Sequence, residues 1–268
     1  ERCVFCWRDH AGHAWEVDAE WDDPAEVAEA SIDLQRELLA GYKGNDDVDD
    51  DVFEQAMEPR HVAISLDGEP TLYPYLPELI HEFHERGITT FLVSNGTDPE
   101  MLADCEPTQM YVSVDAADEP TFDEVVRAVD DDAWDSLHRT LDVLADKDCR
   151  TVIRNTLMKG WNDHNPEEYA EMFERASPDF VEIKGYMHVG HSQSRLDRDA
   201  MPDHDYVAEF ARQVQDEMSG HDTFKEVPRS NVALLARDDD TWVPKLKNGS
   251  EFWSEDDVAP EYKKQRTG

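Results

Sequence analysis

Apolar positions recur along this chain in two rhythms that take turns. Short segments alternate with period two. In Val181–Lys184, Val181 and Ile183 share one face while Glu182 and Lys184 share the other. In Tyr111–Asp115, Val112 and Val114 oppose Tyr111, Ser113 and Asp115, and in Val62–Asp67, Val62, Ile64 and Leu66 oppose Ala63, Ser65 and Asp67. This reading places strands at 61–66, 89–94, 110–114, 151–157, 180–184 and 232–236. Between them, longer segments read as helices: 76–86, 99–105, 121–129, 133–146, 166–176 and 204–218, preceded by a first helix at 24–39 that opens on Pro24. Strands that alternate with helices imply a parallel sheet with helical crossovers, an α/β fold. A doubly wound sheet buries both faces and reads as continuous apolar runs. Here one face of each strand is polar, which suits a barrel whose interior holds a ligand. The segment 43–51, GNDDVDDD at its core, reads as a solvated acidic loop.

Composition changes the picture in one respect. There are 63 acidic residues against 25 basic, a formal net charge of −38. The excess is spread through amphipathic segments, and seven tryptophans argue against a disordered acidic chain. Such a surface fits a halophile's cytoplasmic protein, kept soluble in concentrated salt. In that medium the Debye length is only ~3 Å, so the charge does not exclude an RNA partner. No stretch approaches the ~18 consecutive apolar residues of a membrane span, and no signal-peptide pattern is present. The sequence starts at Glu1, directly on a cysteine motif, and is expected to lack upstream residues.

Four cysteines in so long a chain do not form a disulfide framework. Cys105 and Cys149 read as small buried hydrophobes. Cys3-Val4-Phe5-Cys6 fits a zinc knuckle, a redox dithiol or an iron–sulfur site; no second CxxC completes a zinc set, and the Trp follows the pair instead of preceding it.

Further segments carry a resemblance: RCVFCWR (Arg2–Arg8), SLDGEPTLYP (Ser65–Pro74), FLVSNG (Phe91–Gly96), YVSVDA (Tyr111–Ala116), RNTLMKGWN (Arg154–Asn162), VEIKGYMHVGHS (Val181–Ser192) and MPDH (Met201–His204). Their order and their places at strand ends resemble the radical S-adenosylmethionine superfamily, and within it the wybutosine-synthesis family, the 4-demethylwyosine synthases. The resemblance implies a partial (β/α)6 barrel whose first strand is missing here. Residues 1–200 would form the core, and 201–268 a C-terminal extension of helix, strand and basic–aromatic tail packed upon it. It implies a [4Fe–4S] cluster on Cys3 and Cys6, with a third cysteine preceding Glu1, and a second [4Fe–4S] cluster held by upstream residues. It implies S-adenosylmethionine, tRNA-Phe and pyruvate, with ferredoxin or flavodoxin as electron donor, in a monomer. The family's reaction joins a two-carbon piece of pyruvate to N1-methylguanosine beside the anticodon. A 5′-deoxyadenosyl radical starts it by abstracting hydrogen from the methyl group.

Residue roles combine this resemblance with chemistry. Gly68-Glu69-Pro70 follows a strand and offers acceptors for the methionyl ammonium, though Gly and Pro also suit a plain turn. Asn95 either touches the cofactor or serves its SNG turn. Ser113 and Asp115 would bind ribose hydroxyls or the methionyl group. Arg154 would pair with the methionyl carboxylate or, in the plainer reading, with Glu182. Lys184 faces the interior; a desolvated lysine can form an imine with a keto acid, although it can also simply pair with a carboxylate, and the family's imine lysine lies upstream. His188 and His191 form an HxxH better suited to substrate contact than to metal. Lys245, Lys247, Lys263, Lys264 and Arg266, interleaved with Trp242, Phe252, Trp253 and Tyr262, suit RNA. The competing readings are a radical enzyme acting on a peptide or small metabolite, and a non-catalytic, cluster-carrying RNA-binding relative.

Overall fold

A computed structural model describes residues 2–10, 20–66 and 68–237. Helix α1 (Pro24–Ala40) begins where the Asp23 carboxylate accepts from the N–H groups of Ala25 and Glu26, with Pro24 in the first turn. Helix α2 (Asp50–Ala56) rises from the end of the acidic segment that the sequence suggests is loop. Asp49 caps it, and Asp50 and Asp51 lie at its positive end, so clustered carboxylates start a helix here.

The alternating elements follow: β1 (His61–Ile64), α3 (Leu76–Glu85), β2 (Thr89–Ser94), α4 (Pro99–Asp104), β3 (Gln109–Ser113), α5 (Glu119–Val125), α6 (Ala133–Ala145), β4 (Arg150–Leu157), α7 (Pro166–Ala176), β5 (Phe180–Gly185), α8 (His204–Glu217), β6 (Thr223–Val227) and β7 (Val232–Ala236). Five of these strands, β1 to β5, lie side by side in chain order and all parallel. The expectation of a uniformly parallel sheet needs one correction. β7 runs antiparallel to β5, and β6 lies antiparallel at the outer edge. A short turn suffices for an antiparallel pair, and Pro228–Ser230 with Asn231 at φ +54° supply it. β6 escapes sequence reading because it is half-buried to exposed along its length and has no apolar face.

Leu92, Val112, Ile153, Val181 and Ile183 are buried beneath the helices, which form a continuous layer: α4 against α6, α6 against α7, α7 against α8. The other face carries half-buried Tyr111, Ser113, Arg154, Thr156, Glu182 and Lys184. This is the α/β partial barrel expected, with a polar interior. Residues 201–237 continue the same sheet and helical layer; β7 pairs with β5, and α8 packs on both. No described helix is long and apolar enough to cross a membrane.

Candidate active site at the carboxyl ends of the strands

All loops that follow parallel strands emerge at one edge, so the sheet itself gathers the residues after β1 to β5. Beyond β1, Leu66 and Gly68 both adopt positive φ, +99° and +98°. Gly68 tolerates this conformation because it has no Cβ, although space for one exists. The chain then turns through Pro70–Leu72, capped by Glu69. The Glu69 carboxylate accepts from Ser94 Oγ at 2.7 Å, Asn95 N at 2.9 Å, Thr71 Oγ1 at 3.1 Å and Thr71 N at 3.3 Å. Burial pushes its pKa up, against the pull of these bonds. Glu69 therefore ties the loop after β1 to the loop after β2.

Asn95 accepts from Thr97 N at 3.0 Å and Thr97 Oγ1 at 2.8 Å, an Asx turn that leaves its Nδ2 uncommitted among the described residues. Gly96 follows at φ +77°, where a Cβ would sit 2.9 Å from Leu137. Asp115 lies past the end of β3 and is buried. It accepts from Thr156 N at 2.5 Å, and burial pushes its pKa up to about 7. The wholly buried Asn162 locks this corner, donating to Asp115 O at 2.8 Å and Thr156 O at 3.0 Å while accepting from Met158 N at 2.7 Å. Arg154 stands beside Ser113 on one side and Glu182 on the other. Its Nε lies 3.0 Å from Glu182, its Nη2 donates to the same carboxylate at 3.1 Å, and its guanidinium lies 4.8 Å from the centre of the Tyr111 ring. The ion-pair reading of Arg154 is thus realised, and its Nη1 has no hydrogen-bond partner among the described residues. Lys184 neighbours Thr156 across the sheet, and neither Lys184 nor Ser113 has a side-chain partner among the described residues.

The cysteine loop crosses this mouth. Val4 is buried in the core and its N–H donates to Val125 O at 2.9 Å, while Arg2 N donates to Val126 O at 3.1 Å. Cys6 N donates to Cys3 O at 3.1 Å, closing the turn on which two half-buried thiols stand. On its other side the loop meets the segment after β5: His191 N donates to Trp7 O at 2.8 Å, and Arg195 reaches the carbonyls of Val4, Cys6 and Arg8. Sequence reading missed both Asn162 and Arg195. Asn162 stood within a quoted motif without a role; Arg195 carried no local signal. Cys105 and Cys149 are buried where β3 and β4 begin, at the opposite end, and burial pushes the Cys105 thiol up to about 12. Two thiols at a polar mouth fit part of a cluster's thiolate set. No group of three or more His, Cys, Asp or Glu able to hold a metal gathers among the described residues. His188 instead lies against Tyr186 Oη at 3.1 Å. The basic–aromatic segment from Trp242 to Arg266 lies outside the described residues.

Comparison with known proteins agrees with this arrangement. Residues 1–173 match the radical SAM superfamily, and residues 175–237 match the family of wyosine base formation. The chain is 47% identical over 243 residues to the S-adenosyl-L-methionine-dependent tRNA 4-demethylwyosine synthase of Pyrococcus abyssi, covering 88% of this chain and 71% of that protein. It belongs to the tRNA 4-demethylwyosine synthase family. The enzyme of the same name from Methanocaldococcus jannaschii is 41% identical over 252 residues, 92% of this chain and 80% of the other. A solved structure of TYW1 with a lysine–pyruvate adduct bound is similar, with a TM-score of 0.78 at 39% identity, covering 88% of this chain and 75% of that one. Membership of this radical enzyme family implies a [4Fe–4S] cluster and S-adenosylmethionine as cofactors.

Proposed function

We propose that this enzyme joins a two-carbon unit of pyruvate to N1-methylguanosine next to the anticodon of tRNA-Phe, forming 4-demethylwyosine. The observation that carries the reading is the placing, at one mouth, of a cysteine pair with the side chains of Ser113 and Lys184, which have no partner among the described residues. When bound, the cluster and S-adenosylmethionine supply a carbon radical able to take hydrogen from the base's methyl group. Cys3 and Cys6 ligate the cluster. The Gly68–Glu69 turn receives the methionyl ammonium, and the Glu69 carboxylate holds that turn against Ser94 and Asn95. Asn95 Nδ2 and Ser113 Oγ bind the cofactor's polar edge, with Asp115 holding the corner between β3 and β4. Arg154 offers Nη1 to the methionyl carboxylate while Glu182 keeps its fork in place. Lys184, on the same polar face, places a positive charge where the carboxylate of a keto acid can meet it. The lysine–pyruvate adduct in the similar TYW1 structure supports pyruvate as second substrate.

An anticodon base must leave its stack to reach this mouth, held by phosphate contacts and aromatic stacking. Lys245, Lys247, Lys263 and Lys264 are assigned to phosphates. The enzyme works as a cytoplasmic monomer fed by ferredoxin or flavodoxin. The test supplies full-length enzyme, reductant and S-adenosylmethionine with labelled pyruvate and either methylated or unmethylated tRNA. Label in a tricyclic base is expected with methylated tRNA alone. Cofactor cleavage without label in either tRNA would overturn the substrate assignment.

A further inference from the structure

The loop that carries Cys3 and Cys6 is short, and Val4 is its buried core residue. One side is pinned by the carbonyls of Val125 and Val126. The carbonyls of Val4, Cys6, Trp7 and Arg8 face the other way, beyond reach of any strand or helix ladder, and would otherwise have to find water. All four are taken by one segment, His191–Arg195, remote in the sequence. Arg195 Nε donates to Val4 O at 3.1 Å, and its Nη2 to Cys6 O and to Arg8 O, the latter at 3.2 Å. His191 N takes Trp7 O at 2.8 Å. A guanidinium alone among side chains presents five donors in one rigid plane, so a single residue can hold three carbonyls.

The base of this clamp is itself built rigidly. Arg195 N and Leu196 N both donate to Ser192 O, at 3.0 and 2.9 Å, and the Leu196 side chain is buried. Ser192, fully buried, receives the Tyr186 hydroxyl at 2.9 Å and donates to Val189 O at 2.6 Å. Gly190 adopts φ +58°, and a Cβ there would lie 2.4 Å from Trp7 O, so the two loops meet without space for a side chain. Arg195 belongs to the stretch that matches wyosine base formation, and its three partners to the stretch that matches the radical superfamily. The positive group of one stretch thus lies against the cysteine loop of the other. Net charge and hydrogen bonding around a cluster set its reduction potential.

We propose that Arg195 is the positioning residue of the cluster site, holding the Cys3–Arg8 loop in its ligating shape and raising the cluster's reduction potential. This rests on Cys3 and Cys6 being cluster ligands. The test reconstitutes the full-length protein and its variants anaerobically, then measures iron retained against a chelator, the paramagnetic spectrum of the reduced cluster and its midpoint potential. Arg195→Gln should lower iron affinity by roughly 10- to 100-fold, the usual penalty for losing a group that orients a metal ligand, and move the potential negative. Arg195→Lys keeps the charge but cannot span three carbonyls; the potential should stay near the parent's while iron is lost as in the Gln variant. Gly190→Ala leaves the charge untouched and displaces Trp7, so it should release iron without moving the potential. Parental iron affinity, spectrum and potential in a folded Arg195→Gln protein would overturn the proposal. If that variant does not fold, parental iron retention in both Arg195→Lys and Gly190→Ala does the same. Iron loss with an unchanged potential in Arg195→Gln would keep the clamp and reject its electrostatic half. A parent protein that binds no four-iron cluster would refute the ligand assignment beneath the proposal instead.

Discussion

The two ends of the parallel sheet use polar residues in opposite ways. At the base, where the strands begin, polar groups answer one another. Thr90 N donates to Thr108 Oγ1 at 3.1 Å and Thr108 N to Thr90 Oγ1 at 3.0 Å, with His84 Nε2 2.9 Å from Thr90. Thr151 N donates to Asp179 at 2.9 Å and Asp179 N to Thr151 Oγ1 at 3.2 Å. Lys147 caps the carbonyls of Ala103 and Cys105. At the mouth, Asn95 Nδ2, Ser113 Oγ and Lys184 Nζ have no partner among the described residues, Leu66, Gly68 and Gly96 stand at positive φ, and the Asp115 carboxyl is shifted toward neutrality. A fold gains from closing every polar pair; it leaves donors open, and carboxylates desolvated, where something else is to bind.

The comparison predicts that damage at the mouth removes function first and damage at the base removes stability first. Cys3→Ala or Cys6→Ala in the full-length enzyme should abolish iron–sulfur absorbance and S-adenosylmethionine cleavage while leaving the melting temperature little changed; tetrahedral zinc in the parent protein would break the scheme. Glu69→Ala should come next. Cofactor cleavage should fall steeply, tRNA binding should persist in a gel-shift assay, and loss of an acceptor for Asn95 N–H should cost roughly 1–3 kcal/mol in urea unfolding. Asp115 makes a pH prediction. Its folded pKa, about 7, lies above the 3.8 of a free carboxyl, so the folded protein binds its proton more tightly than the unfolded chain. The resulting penalty is absent below pH ~4, grows as pH rises and is complete above pH ~7. Asp115→Asn should therefore lack this decline, and the difference between parent and variant stability curves isolates it from Glu69, which shifts in the same direction. The smallest effect belongs to the base. Asp179→Ala strands Thr151 N–H and should cost about 1–2 kcal/mol, with cofactor cleavage by the folded fraction unaltered. Loss of cleavage there, measured below the melting transition, would erase the distinction between the two ends.

Period-two and helical rhythms were enough to place six strands and most helices, because each is decided by residues within a turn or two of one another. Hence β2 at Thr89–Ser94, α7 at Pro166–Ala176 and β7 at Val232–Ala236 fall where the pattern puts them. The strand-end position of Glu69, Asn95 and Asp115 was legible for the same reason, and parallel strands oblige those ends to meet. The Arg154–Glu182 pair was legible as an alternative, since both residues lie on polar faces of neighbouring strands. What sequence could not decide was contact between remote segments. The direction of β7 depends on how the chain returns after α8, and β6 has no apolar face to announce it. The Asn162 side chain bonds only backbone groups, and no residue type announces a carbonyl as its partner. Arg195 meets a loop nearly two hundred positions away, a pairing that leaves no periodic trace. Local propensity and alternation are properties of neighbours in sequence; register, strand direction and carbonyl clamps are properties of neighbours in space, and only the folded chain brings those together.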